Sequence, residues 1–252
     1  MMPLSEETIF DLYKSLALWK NRDCNDCRSR TEGLSGPVSI WQVGEDFKND
    51  PYRLVFIGKT ARGTVREPDE VKPELNRDGY IDATREADNW IREERAAYWN
   101  YTAAILQRLF GALDVGWRRI AFTNLVKCNA SMGADTTPAA ISENCIDKLG
   151  VVWHELEVLQ PRHVILYTGH DYDEHLARYT AGLDVSDVTD RQHFVKNGAK
   201  KMLWWERQYL SKGKLCFRLL RTSHPERQYK EGFVNNLVRW VKEWQDSSHK
   251  RR

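Results

Sequence analysis

An α/β fold, a mostly parallel sheet with helices on both faces, is predicted by three features of this sequence. Four short apolar runs rich in β-formers, 54–58, 120–126, 164–169 and 215–222, have the look of strands. Between them lie helical patterns at 83–113, 138–159 and 171–181, and a further amphipathic stretch at 233–244 closes the chain. Every strand ends in a loop carrying glycine or polar residues, and in such sheets binding residues gather beyond the C-terminal strand ends.

Taken in order, the elements have local causes. The run Leu54-Val55-Phe56-Ile57-Gly58 is apolar throughout, as a strand buried on both faces requires, and its terminal glycine lets backbone amides approach a ligand closely. The stretch 64–82, crowded with charge, proline and glycine, reads as a long loop, and compact domains seldom keep one without a use. The second strand runs into Thr123-Asn124-Leu125-Val126-Lys127-Cys128. Pro138 stands at the first turn of the helix it opens. The last strand leaves through Arg221-Thr222-Ser223-His224-Pro225, where the proline stiffens the exit.

With 252 residues and no composition break or linker, one domain over 1–252 is expected. The net charge of +2 announces no polyanion partner in bulk, so a nucleic-acid groove has to be a local patch; residues 247–252 form a basic tail. No apolar run reaches membrane-span length and the first residues lack the pattern of a signal peptide, so a cytoplasmic location and no membrane partner are expected. Ten tryptophans are most simply core fillers. Phe56-Ile57-Gly58-Lys59-Thr60 fails as a phosphate-binding loop, because the required earlier glycine is Arg53; no nucleotide cofactor is expected.

Five cysteines, an odd number in a chain of this length, do not suit a disulfide framework. Four of them, the C-x-x-C pair Cys24 and Cys27 together with Cys128 and Cys145, match in number the thiolates of a [4Fe-4S] cluster. Zinc is the rival, although sixteen residues between Cys128 and Cys145 is wide for a knuckle, and four unconnected buried thiols is the plain alternative. Cys216 reads as a core residue of the last strand. Asn124 offers one acceptor and two donors in a plane, which suits reading a pyrimidine edge, while an asparagine at a strand end also serves simply to tie a turn. An imidazole at His224 can donate to a base oxygen on which charge develops, while a lone histidine at a strand end is otherwise unremarkable.

Together these pieces resemble the uracil-DNA glycosylase superfamily, and most closely its iron-sulfur branch, family 4. That branch has an N-terminal C-x-x-C, a strand ending in G-E-x-P-G, a T-N-x-V-K-C run with another cysteine about sixteen residues on, a P-x-V-I-x-x-x-G strand and a final H-P. The corresponding stretches here are Cys24 to Cys27, 54–63, Thr123 to Cys128, Cys145, 161–169 and 221–225. The resemblance implies a three-layer α/β/α sandwich with a central four-stranded parallel sheet. It also implies a [4Fe-4S] cluster on Cys24, Cys27, Cys128 and Cys145 that clamps the N-terminal segment, about 1–45. In this reading Asn124 reads the base, His224 stabilises the leaving pyrimidine, and Gly58, Lys59, Tyr80 and Ser223 line the substrate site. DNA is the implied partner, and a monomer is expected.

The departures bear on substrate. Gly58-Lys59-Thr60-Ala61-Arg62-Gly63 has lysine at the family's carboxylate position and lacks its proline. The water-activating acid then falls to Asp82, Glu86 or Asp88 after the long loop, and Tyr80 is the nearest aromatic for stacking, with a plain core or loop tyrosine as its alternative. After His224-Pro225 the family's wedge leucines are replaced by Glu226-Arg227-Gln228-Tyr229. The expectation is a monofunctional glycosylase for a modified or enlarged pyrimidine, such as the modified cytosines of phage DNA, held above ordinary uracil excision in repair. A non-catalytic DNA-binding iron-sulfur protein is the alternative from another class.

Overall fold

The computed structural model describes residues 6–18, 20–32, 34, 42–60, 97–128, 137–178, 182–189, 204–225 and 230–249. Its elements are α1 (Glu6–Ser15), α2 (Arg22–Arg30), β1 (Gln42–Val43), β2 (Leu54–Gly58), α3 (Ala97–Phe110), α4 (Leu113–Trp117), β3 (Ile120–Asn124), α5 (Ala139–Ser142), α6 (Val151–Leu159), β4 (His163–Leu166), α7 (Asp173–Arg178), β5 (Asp184–Thr189), β6 (Trp205–Ser211), β7 (Lys214–Arg221) and α8 (Lys230–His249). A π-helical turn, Glu143–Lys148, joins α5 to α6, and a 3-10 turn, Gly169–Tyr172, precedes α7.

The strands form one seven-stranded sheet in the order β1-β3-β2-β4-β7-β6-β5. The pairs β3-β2, β2-β4 and β4-β7 are parallel, while β1, β6 and β5 add antiparallel edges. The expected four-stranded parallel sheet is therefore corrected to a wider, mixed one. The four strands read from sequence are the parallel pairs' members; the three missed strands are the antiparallel ones. Those outer strands are rich in polar residues and carry no continuous apolar run to announce them. The hairpin joining β6 to β7 turns on Lys212 and Gly213, both at positive φ (50° and 73°), a two-residue turn whose twist matches its strands.

Alternation along the central strands builds two cores. Val55 and Ile57 of β2 face a cluster containing Ile9, Tyr13, Val152, Trp153 and Leu156 of α1 and α6. Leu54 and Phe56 face the opposite cluster, with Trp99, Ile105 and Leu106 of α3 and Phe233, Leu237 and Trp240 of α8. Helices thus lie on both faces of the sheet. Trp99, Trp153, Trp204, Trp205 and Trp240 are all buried, the core role expected of them.

Several boundaries differ from the sequence reading. The single helix expected at 138–159 is interrupted, because Gly150 takes a left-handed φ of 57° after the π turn and a new helix starts at Val151. The helix expected at 83–113 is described only from Ala97 and stops at Phe110, where Gly111 has φ 85°. The final helix is longer than 233–244, running from Lys230 to His249, so the first residues of the expected basic tail are helical. Cys216 is exposed, not a core residue, because the buried half of β7 begins only at Phe217. Among the described residues no helix is long and apolar enough to cross a membrane.

Candidate functional site

The C-terminal ends of β3, β2, β4 and β7 lie side by side, stitched by backbone bonds that continue past the strands. Leu125 N donates to Gly58 O (2.8 Å), Val126 N to Lys59 O (2.9 Å), Tyr167 N to Ile57 O (2.8 Å) and Gly169 N to Thr222 O (2.9 Å). Gly58 pairs directly with Asn124. The structure therefore brings Asn124, Gly58, Lys59, Ser223 and His224 to one edge of the sheet. Asn124 ends β3 and His224 lies three residues past β7, strands with two others between them and so about 14 Å apart at three strand spacings.

Asn124 is held on both sides. Its side chain is 8 % exposed, and its Oδ1 lies directly over the Gly58 Cα, where a Cβ would stand 2.5 Å from it and 3.3 Å from Cε2 of Tyr98. Only glycine leaves room for the carboxamide there. Behind it, the Lys127 ammonium donates to the Asn124 carbonyl, to Thr123 Oγ1 (2.7 Å) and to Glu155 Oε2 (2.7 Å). Glu155 is wholly buried and also accepts from Thr123 Oγ1 (3.0 Å) and Tyr13 Oη. This polar network inside an apolar layer satisfies each charge with several partners, which is the condition for burying a pair at all.

Lys59 points the other way along the edge. Its ammonium bonds Asp171 Oδ2 at 2.7 Å, tying the end of β2 to the turn after β4. That hydrogen bond holds the Asp171 carboxyl below its ordinary range against the opposing pull of partial burial. Ser223 and His224 are half-buried and Pro225 is buried. Thr222 fixes their approach, its hydroxyl donating to Leu166 O at 3.2 Å.

The cysteines occupy a second locus just behind β3. Asn21 caps α2, its Oδ1 accepting from Cys24 N at 2.8 Å, and the i, i+3 spacing then turns Cys24 and Cys27 to one buried face. The π turn pushes Asn144 and Cys145 inward; Asn144 Nδ2 donates to Cys27 Sγ (3.2 Å) and Asp26 Oδ2 (2.8 Å). Cys24, Cys27, Cys128 and Cys145 line one cavity together with Leu18, Ile141 and Lys127. Burial pushes the Cys145 thiol up to about 12, although the Lys127 ammonium and backbone N–H pull the other way. Cys128 is raised well above the usual thiol range, by burial first and then by the other three sulfurs. Such thiols stay protonated unless a cation draws them into the thiolate form. Among the described residues no group of three or more His, Cys, Asp or Glu is arranged to hold a metal ion.

Tyr80, Asp82, Glu86 and Asp88, and the segment after Pro225 with Arg227, lie outside the described residues. Three residues of the site escaped the sequence reading. Asp171 was within reach of the strand-end rule, five residues past β4. Glu155 was marked by a charge between Trp153 and Leu156 on an apolar helix. Tyr98, whose edge meets Gly58, gave no signal, since an aromatic in a helix is usually core. No family model and no curated protein matches this sequence.

Proposed function

We propose that the chain is a monofunctional DNA glycosylase of the uracil-DNA glycosylase type, acting on a modified or enlarged pyrimidine flipped out of the duplex. The observation that carries this reading is the convergence at one strand edge of Asn124, seated over Gly58, and His224, with four sequence-distant thiols in one cavity directly behind Asn124. An extruded base lies between the two side chains, its edge read by the Asn124 amide. Water adds to C1′ as the N-glycosidic bond breaks, and the electron pair leaves with the base. His224 donates to the base oxygen on which that charge collects, a contribution of ~3 kcal/mol for one preorganised donor. Backbone amides near Gly58 and Ser223 contact phosphate, so binding weakens with salt.

Cys24, Cys27, Cys128 and Cys145 hold a [4Fe-4S] cluster in this proposal, and its role is structural. The donor set is all sulfur, as a cubane needs. Zinc, which also takes thiolates, is the rival ion for the same four residues. Binding there ties α2 to the π turn and to the loop that follows Asn124.

Lysine at position 59, ion-paired to Asp171, supports a pocket reshaped from that of uracil-acting enzymes. The same ion pair occupies the Lys59 nitrogen, which disfavours its use as a Schiff-base nucleophile. Mass spectrometry of the base released from uracil-containing duplex and from DNA bearing modified cytosines tests the reading, with His224→Ala as control. Release of a modified cytosine, lost in the variant while DNA binding is kept, is expected. Release of uracil alone removes the substrate preference, and no release from any DNA leaves the non-catalytic binder.

A further inference from the structure

The acid that activates water is unassigned by the first strand, since position 59 is lysine. We infer that Asp171, on the turn after β4, supplies that carboxylate. The inference rests on the glycosylase reading and deepens it.

Three observations carry it. β4 lies between β2 and β7 in the sheet, so the turn Gly169–Tyr172 stands between the ends that carry Lys59 and His224. The Lys59 ammonium, only 13 % exposed, grips Asp171 Oδ2 at 2.7 Å, while the carboxylate as a whole remains 52 % exposed. One oxygen is thus anchored, and the other, Oδ1, has Nε2 of the 90 % exposed His170 ring 3.6 Å away. Among the described residues the charged or titratable groups facing it are Lys59, from the end of β2, and His170 and Tyr172 on its own turn. An ion pair with so exposed a carboxylate adds little to folding stability. The lysine has displaced the carboxylate by one strand without removing it from the edge.

In the step, a water held by the free Asp171 oxygen adds to C1′ as the C1′–N bond breaks. The water proton passes to the carboxylate and then to solvent, and the departing pyrimidine keeps the bond's electron pair until protonated. Lys59 keeps the carboxyl ionised and fixes its direction.

The test uses the whole chain as described, with its thiols loaded, and whichever duplex the wild type releases a base from. Asp171→Asn is expected to slow single-turnover base release by about 10²–10⁴-fold, the usual range for one general base, with unchanged DNA affinity by fluorescence anisotropy and an unchanged melting temperature. Asp171→Glu should recover part of the rate. Lys59→Met should shift the acid limb of the pH–rate profile to higher pH, because the carboxyl loses the partner that lowers it. An Asp171→Asn rate within about threefold of wild type, a rate loss matched by loss of DNA affinity or of folding, or an acid limb unmoved by Lys59→Met overturns the inference while leaving the glycosylase reading intact. A wild type inert on every DNA, as inert as His224→Ala, overturns both.

Discussion

Replacing Gly58 with alanine separates the fold from the site. Gly58 has ordinary backbone geometry, so alanine meets no conformational penalty; the added methyl instead stands 2.5 Å from Asn124 Oδ1, about 0.9 Å inside the 3.4 Å at which ordinary contact begins. Tyr98 blocks retreat on the other side, with Cε2 at 3.3 Å. The Asn124 carboxamide must yield, because it is the end of a side chain whereas its backbone is locked by β2 pairing and by Lys127. Folding loses about 1 kcal/mol, the low end for overpacking, since one terminal amide moves and no backbone does. Base release should lose about 100-fold, the usual cost of a 1 Å misplacement at a reacting geometry. Thermal denaturation and single-turnover release from the same preparation read the two quantities side by side. An alanine variant that folds normally and releases base at the wild-type rate would show that the Asn124 amide does not read the base.

Lys127→Met leaves the Glu155 carboxylate buried without its cation and should cost about 3–5 kcal/mol in urea denaturation, whereas Lys127→Met with Glu155→Leu should cost clearly less; additive losses would refute a coupled pair. His163, buried with its Nδ1 2.9 Å from Tyr52 O and its ring edge-on to Trp240, has its pKa lowered to about 4, first by burial and then by Arg218 and Arg162. Its folded pKa lies below the unfolded value of 6.5, so the unfolded chain takes up the proton first: stability is intact above pH 6.5 and falls by ~3 kcal/mol as pH drops to 4. His163→Gln should flatten that part of the profile, and an equally steep decline in the variant would reject the assignment. On the proposed [4Fe-4S] site, purified protein should show a brown visible absorbance that Cys145→Ser abolishes, with raised hydrogen exchange in α2; a colourless wild type would refute the cluster, and colour retained in the variant would remove Cys145 from it.

The legibility of this protein follows burial. The four parallel strands are buried over most of their length and were written as largely apolar runs, which is why their order of appearance and approximate limits could be read directly. The short α1 and α2 and the antiparallel β1, β5 and β6 lean on neighbours for their stability, and α2 in particular is so polar that only its cap and two cysteines distinguish it from a loop. The helix expected over 138–159 had a continuous pattern and was nevertheless broken, because the π turn that aims Cys145 inward is set by packing against α2. Asp82, Glu86 and Asp88, read for nearness in sequence to the first strand, lie outside the described residues; Asp171, more than a hundred residues from that strand, is brought to its end only by the sheet order.

By itself, then, the order of amino acids determined the α/β class, the central strands, and the residue types available for chemistry: an amide and an imidazole at strand ends, four thiols, and a lysine after the first central strand. Which of these meet was decided by tertiary structure alone. Sheet order sets Asp171 against Lys59, the pairing of β2 with β3 seats Asn124 on Gly58, and a buried lysine joins that asparagine to the cysteine cavity. Strand adjacency and burial are long-range properties, and no local pattern of residues encodes them.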